Sequence, residues 1–209
     1  ILLGSLLLMM PFSVRDGIQI RYIDALYTSA SAVCVTGLIS IDVGTAFTPV
    51  GQTILAVLIQ IGGLGVTSIG AGIILLVGRK INLKGRNVIR EASNLDSGKG
   101  IVRFVKSVFF TTITFEIIGA IFSFIAFVSE GQPAHKAVGY SIFHSIAAFN
   151  NAGFDNLGLS GDLYSNVSLI PYQDNILLNV VTCALIFFGG IGFLVIREVL
   201  QKRFRWKKF

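Results

Sequence analysis

The sequence predicts an all-α integral membrane fold made of two copies of one unit, each a span, a short re-entrant helix, an extended turn and a second span. Three observations predict it: too little charge for a water-soluble domain, apolar residues gathered in long blocks, and motifs that occur twice in the same order. Of the 209 residues, 53% are hydrophobic, 13% are charged and 17 are Phe. The mean hydropathy is +0.77. A soluble domain carries about 25% charged residues, so half that share calls for a solvent other than water. Gly51 to Gly78, Ile101 to Val128 and Ile176 to Ile196 run almost without charge. Roughly twenty such residues, rising ~1.5 Å each, cross a ~30 Å hydrocarbon layer. A soluble α/β chain would instead show strands of about 4–8 residues between turn signals. The runs therefore read as helical spans.

Taken in order, Ile1 to Met10 is apolar but only ten residues long before Pro11. It has no basic stretch of the kind a signal peptide carries, and it reads as the outer end of a helix whose first turns are missing. The expected organisation is a first unit over 1–78 with a truncated first span, a basic cytoplasmic linker over 79–100, a second unit over 101–200 and a basic cytoplasmic tail over 201–209.

Charge orients these units. Fourteen of the seventeen basic residues lie between Arg79 and Lys106 or between Arg197 and Lys208; only Arg15, Arg21 and Lys136 fall elsewhere. Lys and Arg near span ends stay cytoplasmic, which puts both basic segments inside. The opposite face holds Asp16, Asp24, Asp42, Glu130, Asp155, Asp162 and Asp174, and an outer mouth of that sign raises the local cation concentration. The net charge of +6 is thus a topology signal rather than a nucleic-acid footprint. Cys34 and Cys183 lie in different segments without metal-ligand spacing, and no disulfide framework is expected.

The repeat is the informative feature. Asp24-Ala-Leu-Tyr-Thr-Ser-Ala-Ser-Ala-Val-Cys-Val-Thr-Gly-Leu38 and Tyr140-Ser-Ile-Phe-His-Ser-Ile-Ala-Ala-Phe-Asn-Asn-Ala-Gly-Phe154 are both too polar to cross a membrane and too apolar for ordinary loops. At one common offset Tyr27 meets Phe143, Ser29 meets Ser145, Ala32 meets Ala148 and Gly37 meets Gly153. Ile61-Gly-Gly-Leu-Gly65 then matches Phe188-Gly-Gly-Ile-Gly192 at a larger offset, and the difference fits a longer outer loop at 155–171. Two ordered matches separated by a loop-length change indicate a duplicated unit.

Non-helical backbone at membrane depth is tolerated only where protein buries it or where it lines a wet cavity. Rings of backbone carbonyls can replace the hydration shell of a potassium ion. A central glycine permits positive φ and a close approach of backbone to an axis. Small residues before it (Ser29 to Ala32; Ser145, Ala147 and Ala148) allow tight helix packing. The negative end of each short helix would point toward an ion.

The Cys34-Val-Thr-Gly-Leu38 turn, the Phe149-Asn-Asn-Ala-Gly-Phe-Asp155 turn and the Gln60-Ile-Gly-Gly-Leu-Gly65 segment together resemble the Trk/Ktr/HKT superfamily of potassium transporters, and within it the N-terminal half of the bacterial Ktr-type pore subunit. The resemblance covers essentially the whole chain. It implies two span–pore-helix–span repeats of a K+-channel-like pore domain that in the family has four. The carbonyls of Cys34, Val35, Thr36 and Gly37 would then form one wall of a selectivity filter, and those of Asn150, Asn151, Ala152 and Gly153 another. It also implies a plasma-membrane protein of a bacterium, a homodimer, a cytosolic ring of nucleotide-binding regulatory subunits below the basic loops, and a C-terminal half supplying the other two walls. The transported ion would be K+, with Na+ the alternative, and no organic cofactor is expected. Plant members with serine in place of the first-unit glycine favour sodium, and Gly37 leans toward potassium.

Glu116 sits mid-span, where a charge costs roughly 2.5–3.5 kcal/mol on insertion scales, so it should face the bundle interior. It either supports the filter by hydrogen bonding to a pore helix or filter backbone, or is a protonated acid satisfied by a neighbouring helix. His144, placed on the first turns of the second pore helix, reads as a packed polar residue rather than a ligand, and His135 as part of an exposed loop. The glycine clusters at Gly62, Gly63, Gly65 and Gly189, Gly190, Gly192 read as close-packing sites more readily than as gating hinges. Two other functions compete: an intramembrane serine protease, which lacks a Gly-x-Ser-x-Gly elbow and a histidine placed to activate a nucleophile, and a non-conducting membrane scaffold.

Overall fold

Each half of the chain uses the same local devices to start and stop its helices. The computed structural model describes residues 1–65, 69, 101–159, 162–164, 167–193, 195 and 196; the basic linker and tail lie outside the described residues. In chain order the helices are α1 (Leu2–Leu8), α2 (Tyr22–Cys34), α3 (Val43–Ala46), α4 (Pro49–Leu64), α5 (Ile101–Ser129), α6 (Ala134–Phe149) and α7 (Ile176–Gly190), with a 3-10 turn at Ile170–Tyr172 before α7. Among the described residues the β-structure is one isolated bridge, Val14 to Phe47.

Capping explains where the second helix of each half begins. Thr48 Oγ1 accepts from the Gly51 N–H at 3.2 Å, and Pro49 occupies the first turn of α4, where its missing N–H costs nothing. The matching position before α7 is Asn175, whose Oδ1 accepts from the Leu178 N–H at 2.9 Å. Such a side-chain cap contributes about 1 kcal/mol.

In each half the three longer helices pack on one another, α1, α2 and α4 in the first and α5, α6 and α7 in the second, while α4 against α6 joins the two halves. A glycine on the first helix of each half makes room for a serine of the short helix and a leucine of the second. An ideal Cβ on Gly4 would lie 2.5 Å from Ser29 Oγ and 2.8 Å from Leu58; one on Gly119 would lie 2.5 Å from Ser145 Oγ and 2.7 Å from Leu185. The serines bond back to the first helix, Ser29 Oγ donating to Ile1 O at 2.8 Å and Ser145 Oγ to Glu116 O at 2.7 Å. One buried core runs through both halves, from Leu8, Phe47, Leu55 and Ile59 to Phe143, Ala152 and Phe154.

The outer surface is apolar. Val102–Ser129 is long and apolar enough to cross a membrane, yet only 28% of its most apolar window is buried, unlike a core helix of a soluble protein. Phe110, Ile113, Ile117 and Ile121 are exposed along it, as are Val180 and Phe187 on α7.

Three expectations need correction. The spans 51–78 and 176–196 are not continuous helices: α4 stops at Leu64 before Gly65 (φ +78°), and α7 stops at Gly190 before Gly192 (φ +90°). Helical bonding resumes from those glycines, Ile69 N–H to Gly65 O at 3.1 Å and Ile196 N–H to Gly192 O at 3.2 Å. Positive φ interrupts the i→i−4 ladder, and hydropathy is blind to it. The second short helix starts at Ala134, which puts His144 past its middle and exposed His135 on its first turn rather than in a loop.

Candidate functional site: two facing glycine turns

Both short helices end in the same way. Val35 is left-handed (φ 55°, ψ 42°), its N–H donates to Ala32 O at 3.2 Å, and the Thr36 N–H donates to Ser31 O at 3.0 Å. Asn151 repeats this with φ 57°, its N–H on Ala148 O at 3.1 Å and the Ala152 N–H on Ala147 O at 2.8 Å. This pair of bonds is a Schellman motif, which satisfies carbonyls that a helix end leaves unpaired. Two residues further on, Gly37 and Gly153 also take positive φ, 71° and 68°. Left-handed residues alternating with others swing the chain out of the helix as an extended turn with its carbonyls free of helical partners.

The two turns meet. An ideal Cβ on Gly37 would lie 2.9 Å from Ala152 O and 3.2 Å from the Gly153 Cα. The turn of Cys34, Val35, Thr36 and Gly37 thus meets the turn of Asn150, Asn151, Ala152 and Gly153 at their ends, Gly37 against Ala152 and Gly153. Thr36 Oγ1 donates to Ser31 Oγ at 2.9 Å, which ties its side chain back to α2. Glycines of the second helices back both turns. A Cβ on Gly62 would coincide with Val33 O, and one on Gly189 with Phe149 O. Gly62 and Gly189 are thus close-packing sites, whereas Gly65 and Gly192 have nothing within 4 Å and form the helix breaks.

Glu116 is hydrogen-bonded at the second turn, through a side chain rather than backbone. Asn150 Nδ2 donates to Glu116 Oε1 at 3.2 Å, to Gln60 Oε1 at 3.0 Å and to Ile146 O at 2.9 Å. Sequence reasoning passed over Gln60 as a site residue. The signal available was a lone amide in an apolar run immediately before the glycine cluster. His144 is buried, with Nε2 2.9 Å from Thr182 Oγ1 on α7 and its ring edge-on to Phe127, and so takes the packed position expected of it. Among the described residues no cluster of three metal-ligating side chains occurs, and Cys34 and Cys183 are free and exposed.

Two carboxyls lie at helix starts, Asp24 in the first turn of α2 and Asp42 before α3. Arg21 Nε donates to Asp24 Oδ2 at 2.8 Å and Nη2 to Oδ1 at 3.1 Å, and this hydrogen bonding holds the Asp24 carboxyl below the usual aspartate range. Asp42 is buried at the start of α3 with Oδ1 on the Thr45 N–H at 2.6 Å. Burial pushes its carboxyl up, and the charge of Asp155 adds to the shift.

A family model described as TrkH, cation transport protein, matches residues 3–208. The chain belongs to the TrkH cation transport protein family. It is 40% identical over 209 residues to the Ktr system potassium uptake protein B of Bacillus subtilis, covering 100% of this chain and 44% of that protein. It is 38% identical over 201 residues to the potassium/sodium uptake protein NtpJ of Enterococcus hirae, covering 96% of this chain and 43% of that one. The Ktr system potassium uptake protein D of B. subtilis is 35% identical over 194 residues, covering 93% and 41%. This TrkH-family chain therefore spans less than half the length of these relatives.

Proposed function

We propose that this segment forms two walls of the potassium-selective pore of a bacterial plasma-membrane uptake protein. The observation that carries the reading is the pair of left-handed–x–glycine turns, each closing a short helix, that meet at Gly37 and Gly153. Turns of this shape present carbonyl oxygens to a dehydrated cation, here those of Cys34 to Gly37 and of Asn150 to Gly153. α2 and α6 act as pore helices, α1 and α5 as first spans, and α4 and α7 as the broken second spans of two duplicated units. Glu116 supports the second filter turn through Asn150. Potassium moves down its electrochemical gradient, the inside-negative potential contributing ~2.3 kcal/mol per charge per 100 mV. The complete protein supplies the remaining walls, assembles as a homodimer and docks a nucleotide-binding regulatory ring on its basic cytoplasmic segments.

Potassium and sodium uptake by the complete protein, in cells lacking their own potassium importers, tests this. Gly37→Ser is expected to abolish potassium-limited growth or turn uptake toward sodium. Uptake that ignores the substitution would place the filter elsewhere. Absence of uptake from well-expressed wild type would return the non-conducting scaffold. The sodium in the name of the E. hirae relative favours a second reading, a sodium-conducting pore, and the wild-type ratio of the two fluxes separates the two.

A further inference from the structure

Asn150 is the residue at which α6 ends and the second turn begins. Its amide nitrogen has two hydrogens and three oxygens within reach, on Ile146, Gln60 and Glu116. Its Oδ1 fills the space that a side chain on Gly63 would need. Gln60 and Gly63 both belong to the last turns of α4, and Gln60 lies 90 residues away in sequence. The stem of the second turn is therefore gripped from the other half of the molecule. Among the described residues the first turn has no equivalent: the position matching Asn150 is Cys34, a free and exposed thiol.

We propose that Gln60 is a positioning residue for the second filter turn, holding Asn150 across the boundary between the two units and so setting the preference for potassium over sodium. The inference rests on the transport reading above. A carbonyl turn whose stem is clamped resists the inward movement that a smaller ion demands. The clamp consists of one hydrogen bond from Asn150 to Gln60, with Glu116 as the second acceptor competing for the same two hydrogens. Removing Gln60's oxygen leaves Glu116 and Ile146 to hold the amide, so the turn persists but its stem is free to shift toward α5. A role confined to packing predicts a different result: less protein and less total flux, at an unchanged ratio.

The test is the ratio of potassium to sodium uptake by the complete protein in liposomes, normalised to protein incorporated. Gln60→Leu is expected to lower the ratio about five- to tenfold, the scale of one hydrogen bond's hold being transferred from α4 to α5. Gln60→Glu keeps an acceptor oxygen and, assayed at acidic pH where a second carboxyl beside Glu116 is protonated, should stay within about twofold of wild type. An unchanged ratio in Gln60→Leu, or an equal fall in both variants, overturns the proposal. If leucine prevents assembly, Gln60→Asn, one methylene short of Asn150, should shift the ratio in the same direction, and a wild-type ratio there overturns it. Gly153→Ser separates the two levels of the argument. If it alters the ratio while the Gln60 variants do not, the filter stands and the positioning role fails. If neither alters it, the filter reading fails and takes this inference with it.

Discussion

The Cα of Gly153 stands 3.2 Å from the point where a side chain on Gly37 would begin. Gly37 is thus constrained twice, by its positive φ of 71° and by the backbone of the facing turn. Gly131 has the first constraint alone, with φ +83° and nothing within 4 Å. Gly131→Ala should cost only the left-handed penalty, roughly 1–2 kcal/mol. Gly37→Ala should cost more, since Ala152 O is backbone and cannot rotate away. Thermal unfolding of the purified complete protein compares them, and equal losses would mean that the two turns do not bear on each other.

Val35 holds a left-handed conformation, a genuine outlier for a β-branched residue. Val35→Ala and Val35→Gly both delete its packing, but only glycine also relieves the strain. The glycine variant should be more stable than the alanine variant by about 1 kcal/mol. The reverse order in a denaturation series would show that the turn relaxes without help.

Asp42 predicts a pH dependence. Its carboxyl is raised in the folded protein, so the folded state holds a proton that the unfolded chain has already lost. Stability from this group therefore falls as pH climbs from the ordinary aspartate value, ~3.9, through the raised one. Asp42→Asn keeps an acceptor for the Thr45 N–H and removes the ionisation. Its melting temperature should lack that decline and exceed wild type at neutral pH. Parallel curves from pH 4 to 8 would count against the assignment.

Neighbouring glycines on α7 should behave oppositely. A Cβ on Gly189 would coincide with Phe149 O, whereas the nearest atom to one on Gly190 is Asn151 Nδ2 at 3.7 Å. Gly189→Ala should prevent α7 from seating against α6 and sharply reduce folded protein. Gly190→Ala should be tolerated, with up to ~1 kcal/mol gained from helix propensity. Expression and size-exclusion profiles read both, and a well-folded Gly189→Ala protein would refute the packing role.

The presence of the helices, the glycines at the centres of the turns and the interior engagement of the half-buried Glu116 were legible because each follows from local chemistry: apolar blocks, a residue able to take positive φ, a charge that needs a partner. Gln60 was not, since its partner Asn150 lies 90 residues away and only tertiary packing brings them together. The breaks at Gly65 and Gly192 were hidden for another reason. In a glycine cluster the same residue type serves close packing at Gly62 and a helix break at Gly65, and composition does not distinguish them. The left-handed Val35 runs against its own preference and is imposed by the Schellman bonds around it.

In the pore proposed above, the breaks in α4 and α7 also bear on which sign of ion is admitted. Gly62 and Gly189, each three residues ahead of the break glycines Gly65 and Gly192, lie against the carbonyls of Val33 and Phe149 at the ends of α2 and α6. The C-termini of α2 and α6 lead into the turns that meet at Gly37 and Gly153, and the last turns of α4 and α7 pack directly against them. Each carries the equivalent of about half a negative charge, and none depends on a titratable side chain. In that proposed pore, an anion approaching the turns meets these like poles, so exclusion of chloride is expected from the backbone itself, independent of pH, before size or coordination begins to discriminate among cations.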